Sequence, residues 1–96
     1  MDVLLTYDIA DTSKSGAARL RRLSAVCERY GQRIQFSVFQ FRFSPTRLAR
    51  LISEVEDVID HQQDSVILYR FPDNIEKFAN HLGRPQQKGL GEPWMV

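Results

Sequence analysis

The chain has 96 residues, 43% of them hydrophobic and 26% charged, with a formal net charge of +1. That is enough for one compact domain and too little for two; a domain this small buries only roughly 60–65% of its unfolded surface, which favours a dimer. One cysteine excludes an internal disulfide, and no apolar run nears the ~20 residues of a membrane helix. Cys27 lies in an apolar helical pattern and reads as a small core residue, since a reactive thiol needs an electropositive, partly exposed setting. Met1-Asp2 leads straight into a strand without a basic segment and long apolar stretch, so the expected setting is soluble, reducing and cytoplasmic.

The near-neutral total hides an asymmetry. Residues 1–50 carry nine basic side chains against four acidic ones, and residues 51–96 carry four against eight. Ten of the thirteen cations are arginines, the type suited to bidentate phosphate contact, so the first half leans toward nucleic acid. The plainer alternative is a solvated, charge-balanced surface.

In chain order, Val3 to Ile9 is a near-continuous apolar run, as in a central strand covered on both faces. Asp11-Thr12-Ser13 then offers turn and N-cap chemistry. Gly16 to Tyr30 repeats apolar residues at helical spacing, and Gly31 is expected to stop that helix in a left-handed cap. "QRIQFSVFQFRF" (32–43) is too long for one strand and has polar Gln35 and Ser37 at its middle. It predicts two short strands joined by a turn or bulge near Gln35 to Ser37, with Phe39, Phe41 and Phe43 on one face. Ser44-Pro45 starts a second helix, whose apolar stripe runs from Leu48 to Ile59 while Glu54, Glu56, Asp57 and Asp60 point away from it. "SVILYRF" (65–71) predicts another strand buried on two sides. Residues 74–82 fit a short helix or an edge strand, and the glycine- and proline-rich tail fits no regular structure.

Strand, helix, strand, strand, helix, strand is the order of an α+β, ferredoxin-like βαββαβ domain: a four-stranded antiparallel sheet with both helices on one face. The expected division is a core over residues 1–71 and an edge strand with tail over 72–96.

Two residues stand out as candidates for chemistry. Strand alternation sends Leu4, Thr6 and Asp8 to one face, with Asp8 at the rim before the first helix. Its ordinary explanation is capping of the loop, yet Asp11 and Ser13 are better placed for that. Arg19 falls inside the apolar stripe of the first helix, where it either reaches an acidic partner or runs its stem along the core to water. His61 and His81 lack ligand spacing. The aromatics of "FSVFQFRF", Phe36 among them, invite comparison with RNA-binding sheets, but the glycines of that signature are missing, so they read as core and dimer-interface residues. Trp94 has no assigned role beyond packing of the tail on a partner.

"TYDIAD", "RLRRLSAVCERYGQRIQFSVFQ" and "DSVILYRF", in that order over residues 1–71, resemble the CRISPR-associated small endonuclease family, the "Cas two" proteins. The most specific piece is "GQRIQFSVFQ". Gln40 departs from the pattern, since many members carry a glutamate there. The resemblance implies a homodimer that brings its two Asp8 side chains together. It also implies a C-terminal segment that adds an edge strand to the partner's sheet, which would make residues 74–82 a strand. One Mg²⁺ shared by the two Asp8 carboxylates is the implied cofactor, and such a close pair of carboxylates should bind metal less well at acid pH. For a nuclease on RNA or duplex DNA, Asp8 is the implied catalytic residue and metal ligand. Arg19 or Arg33 would hold the nucleic-acid backbone, and Ser37 would orient a phosphate or a metal-bound water. The family's other implied role is a non-catalytic dimer that binds protospacer duplex and bridges dimers of the CRISPR integrase.

Overall fold

The computed structural model describes residues 1–84. The tail with Trp94 lies outside them. Strand β1 (Asp2–Ile9) leads into helix α1 (Lys14–Tyr30), strands β2 (Gln32–Gln35) and β3 (Val38–Arg42) follow, then helix α2 (Pro45–Val58) and strand β4 (Asp64–Phe71). All pairings are antiparallel and the sheet order is β2-β3-β1-β4, as the ferredoxin-like expectation requires. The bulge expected between the short strands falls between Arg33 and Gln35, followed by a turn at Phe36 and Ser37.

Both helices start on serine caps. Ser13 Oγ accepts the Gly16 N–H at 3.4 Å, and Ser44 Oγ accepts the Arg47 N–H at 3.2 Å with Pro45 in the first turn. Their apolar stripes cover one face of the sheet, where Leu23, Cys27, Leu51 and Val55 close over Val3, Leu5, Phe39 and Phe41. The rings of Phe39, Phe41 and Phe43 stack along β3, with centroids 6.4 and 5.3 Å apart. Burial pushes the Cys27 thiol up to about 12, which leaves no thiolate at neutral pH, in keeping with a core role.

Four expectations are corrected. Gly31 ends α1 in extended backbone, φ −157° and ψ −151°, and is needed for room: a Cβ there would lie 2.2 Å from the Gln40 carbonyl oxygen and 2.4 Å from Phe41 Cδ1. Among the described residues the second face of strand β4 is covered at its end alone, where Phe78 packs on Phe71; Ile67 is 46% exposed and Tyr69 49% exposed on that face. Glu54 does not point away from the core but reaches α1, where it pairs with Arg29 and accepts the Tyr30 hydroxyl. Residues Ile75–Phe78 form a 3-10 turn, the short helix that the residues left open, instead of the strand that the resemblance implied. Its cause is Asp2, whose carboxylate accepts the Ile75 N–H at 2.7 Å and takes two hydrogen bonds from Arg42, at 2.8 and 2.7 Å. Arg42 reaches on to Glu76 at 2.8 Å, so the turn is clasped to the start of β1 with Ile75 buried.

Candidate nucleic-acid and metal site

Asp8 sits one residue before the end of β1, opposite Ser65 of β4, on the sheet face away from the helices. Its side chain is exposed, and among the described residues its carboxylate has no hydrogen-bond or ion-pair partner. The loop that follows is closed by others. Asp11 Oδ1 accepts the Ser13 N–H at 2.9 Å, and the Ser13 hydroxyl first and this N–H second lower its carboxyl from the ordinary value. Capping therefore makes no demand on Asp8. No group of three or more His, Cys, Asp or Glu side chains within one copy could hold a metal among the described residues. Mg²⁺ commonly takes one or two carboxylates and fills its shell with water and phosphate oxygens, so a free carboxylate at a strand rim fits as half of such a site.

Arg19 is placed differently from its expected role on the nucleic-acid backbone. It is 8% exposed, with Nε donating to Asp64 Oδ2 at 2.7 Å, NH2 to Asp64 Oδ1 at 3.2 Å and Asp11 Oδ2 at 3.4 Å, and NH1 to Ser15 Oγ at 2.8 Å. Of the two readings open for a cation in the apolar stripe, the acidic partner prevails. All three guanidinium nitrogens are engaged, so this arginine ties α1 to the start of β4 and is a structural residue. The hydrogen bond from Arg19 holds the Asp64 carboxyl below the ordinary carboxylate value, against the opposing pull of desolvation. The Asp60 N–H adds a second bond to Asp64 Oδ2 at 2.8 Å.

Arg33 lies on β2 before the β2–β3 turn, and Ser37 follows Phe36 within that turn. The Ser37 carbonyl accepts the Tyr7 N–H at 3.2 Å, which fixes this turn beside the residue that precedes Asp8. Arg33 lies over the Phe39 ring, 4.7 Å from its centroid, and its NH1 donates to the Tyr7 hydroxyl at 3.3 Å and to the Phe36 carbonyl. Tyr7 also approaches Ser24 Oγ and the Phe36 carbonyl, each at 3.3 Å. These contacts floor an open cleft of about 450 Å³ between α1 and the turn, lined by Tyr7, Leu20, Arg21, Ser24, Arg33 and Phe36. Sequence reasoning missed Tyr7 as the post that steadies Arg33, and Asp64 as the partner of Arg19. The only available signal for Asp64 was an acid standing at the first position of an apolar strand.

The profile of the family described as CRISPR associated protein Cas2 matches residues 1–77. The chain belongs to the Cas2 family. Among curated Cas2 proteins it is 38% identical to a CRISPR-associated endonuclease Cas2 of Halalkalibacterium halodurans over 93 residues, 97% of each chain. It is 37% identical to a CRISPR-associated endoribonuclease Cas2 of Chlorobaculum tepidum over 90 residues, 94% of each. The crystal structure of Streptococcus pyogenes Cas2 superposes with a TM-score of 0.77 at 34% identity, covering 86% of this chain and all of that one. No helix among the described residues is long and apolar enough to cross a membrane.

Proposed function

We propose that the chain is a CRISPR-adaptation endonuclease that cleaves phosphodiesters of RNA or DNA in the cytoplasm, with its reacting site formed where two copies meet. Asp8 carries this reading: of the acids around the first loop, Asp11 and Asp64 are bound to Arg19, whereas Asp8 is exposed and has no partner among the described residues. Leu4, Thr6, Ile67 and Tyr69 share its face of the sheet and are only partly covered, an apolar surface suited to a second copy of the same face. Stacking the two faces brings the two Asp8 carboxylates toward one another. Strand β4 is an edge of the sheet, and beyond the 3-10 turn Ala79 returns to extended backbone, so the segment after it can add a strand to a partner's edge.

The paired Asp8 carboxylates would hold a Mg²⁺, which when bound would ease deprotonation of a water for attack on a phosphodiester and offset negative charge on the phosphate. Arg33, steadied by Tyr7 and Phe39, binds the backbone phosphate with the donors it has left, and Ser37 lies at the same end of the sheet to orient that phosphate. Arg19 has no part in binding on this reading, because Asp64, Asp11 and Ser15 occupy it. Cleavage of short single-stranded RNA and duplex DNA with Mg²⁺, with chelator, and by Asp8→Ala protein verified as folded tests the assignment. Loss of cleavage in both the chelator and the variant supports it, and cleavage that survives Asp8→Ala removes it.

A second reading rests on Arg21 and Arg22, exposed on α1 and unpaired among the described residues. These suit a platform that grips protospacer duplex through phosphates and bridges integrase dimers without chemistry of its own. Duplex binding without any cleavage selects that role.

A further inference from the structure

Phe36 is the one phenylalanine of β2, β3 and their turn that the core does not use. Its ring is 83% exposed at the turn, whereas Phe39, Phe41 and Phe43 are buried. Nor does it belong to the open apolar face of the sheet: it borders the cleft lined by Tyr7 and by Leu20, Arg21 and Ser24 of α1, on the helix side. A large ring left in water forgoes a favourable burial, so an exposed ring carried on a hydrogen-bonded turn suggests a ligand with a flat apolar face.

Phe36 and Arg33 are positioned by the same atom. The Phe36 carbonyl oxygen accepts from Arg33 NH1 and from the Tyr7 hydroxyl, so the aromatic residue and the guanidinium are tied at one point. Nε and NH2 of Arg33 have no partner among the described residues, and Arg21 lines the same cleft with an exposed side chain. The result is an exposed ring beside two cations over a floor of hydroxyls from Tyr7 and Ser24. Its volume of about 450 Å³ lies within the roughly 300–1,000 Å³ of ordinary small-ligand sites.

We propose that this cleft is a subsite for one unpaired nucleotide of a single-stranded nucleic acid, with the base stacked on Phe36 and the adjoining phosphate on Arg33 and Arg21. The proposal rests on the nucleic-acid reading above and narrows its substrate. A base inside a duplex already stacks on its neighbours and cannot lie against a protein ring, whereas an unstacked base can. Arg33 is restrained before the ligand arrives, so little of its freedom is lost on binding.

Binding is measured in chelator, so that no cleavage intervenes, with fluorescent 12-nucleotide RNA and DNA strands of one sequence, the matching duplex, and a strand whose central positions are abasic. Phe36→Ala should weaken both single strands roughly tenfold, within the range for loss of one base–aromatic stack, and leave the duplex unchanged. Phe36→Tyr should restore the affinity, and wild type and Phe36→Ala should bind the abasic strand alike. A loss confined to RNA or to DNA identifies the sugar that the cleft accepts. Wild-type affinity of Phe36→Ala for single strands, or an equal loss on the duplex, overturns the subsite and leaves the nuclease reading standing. Failure of the wild-type protein to bind any of the four probes overturns both. The exposure of Phe36 keeps the variant foldable, and a thermal melt superimposable on wild type verifies it.

Discussion

Arg19 and Asp64, 45 residues apart in sequence, meet in a two-point ion pair, Nε to Oδ2 at 2.7 Å and NH2 to Oδ1 at 3.2 Å, with the Asp64 side chain wholly buried. Removing one partner of such a pair leaves a charge without water or counter-ion, which costs far more than the pair itself contributes. Arg19→Ala should therefore lower the melting temperature by roughly 10 °C, a large shift for a domain of this size. Arg19→Lys should recover part of that, since an ammonium cannot span both carboxylate oxygens. Nucleic-acid affinity of the folded Arg19→Lys protein should stay at the wild-type level, and a loss of affinity without a loss of stability would return Arg19 to the binding surface.

Acid should unfold the protein through Asp2 and Asp64. Both carboxyls lie below their ordinary 3.8 in the folded chain, Asp2 chiefly through the hydrogen bond from Arg42 and Asp64 chiefly through the one from Arg19. The unfolded chain takes up these protons first as pH falls. Their contribution is thus fully present above the ordinary value and is lost as pH drops through it toward the lower folded values. Melting temperature should hold steady down to about pH 5 and fall steeply below pH 4. Asp2→Asn, which cannot titrate, should be less stable at neutral pH and show a shallower acid limb in the same scans.

Elements set by local chemistry were legible from the residues, and those set by distant partners were not. Ser13 and Ser44 announce their helices because the cap lies within three residues of the N–H that it accepts. The two short strands are readable because Gln35 and Ser37 interrupt an aromatic run at the point where the bulge and turn form. At Ile75 the residues left a short helix and an edge strand both open, because what decides for the 3-10 turn is Asp2, 73 residues away. Strand β4 looked buried on both sides because Val66 to Tyr69 are apolar without alternation, and composition does not reveal which layers cover a strand. Asp8 stood out correctly as a carboxylate without a local task, but Arg19 could be assigned only once Asp64 was beside it.

Gly31 should resist any side chain. An added methyl would meet backbone and ring atoms of β3 at 2.2 and 2.4 Å, and neither can swing aside as a flexible side-chain end could. Gly31→Ala should cost about 1–3 kcal/mol, the range for overpacking an interior site. Urea denaturation should show a lower midpoint at unchanged slope. Wild-type stability would mean that α1 and β3 move apart more freely than this contact allows.

Arg33 should report on phosphate binding through salt. On the proposed reading its guanidinium neutralises one phosphate, so Arg33→Ala should weaken binding and make the plot of log affinity against log salt shallower by about one. Titrations of a single-stranded 12-mer over a range of NaCl concentrations provide the measurement. An unchanged slope with reduced affinity would instead mean that Arg33 acts only by holding the Phe36 turn.

Ile67 tests whether two copies share the site. It is paired in register with Thr6, half-exposed near the middle of the sheet's open face, and two residues from Ser65, the partner of Asp8. A carboxylate there leaves the single-chain core untouched but would be buried without a counter-ion if that face meets a second copy. The wild-type chain should therefore sediment as a dimer at equilibrium, and Ile67→Asp as a monomer at the same concentration, with its own fold retained by circular dichroism. Because on the proposed reading one Asp8 supplies only half of a metal site, the same variant should lose Mg²⁺-dependent cleavage even though Asp8, Arg33 and Ser37 are intact. A monomer that still cleaves would place the whole site within one chain, and a dimer that persists would move the interface to another surface.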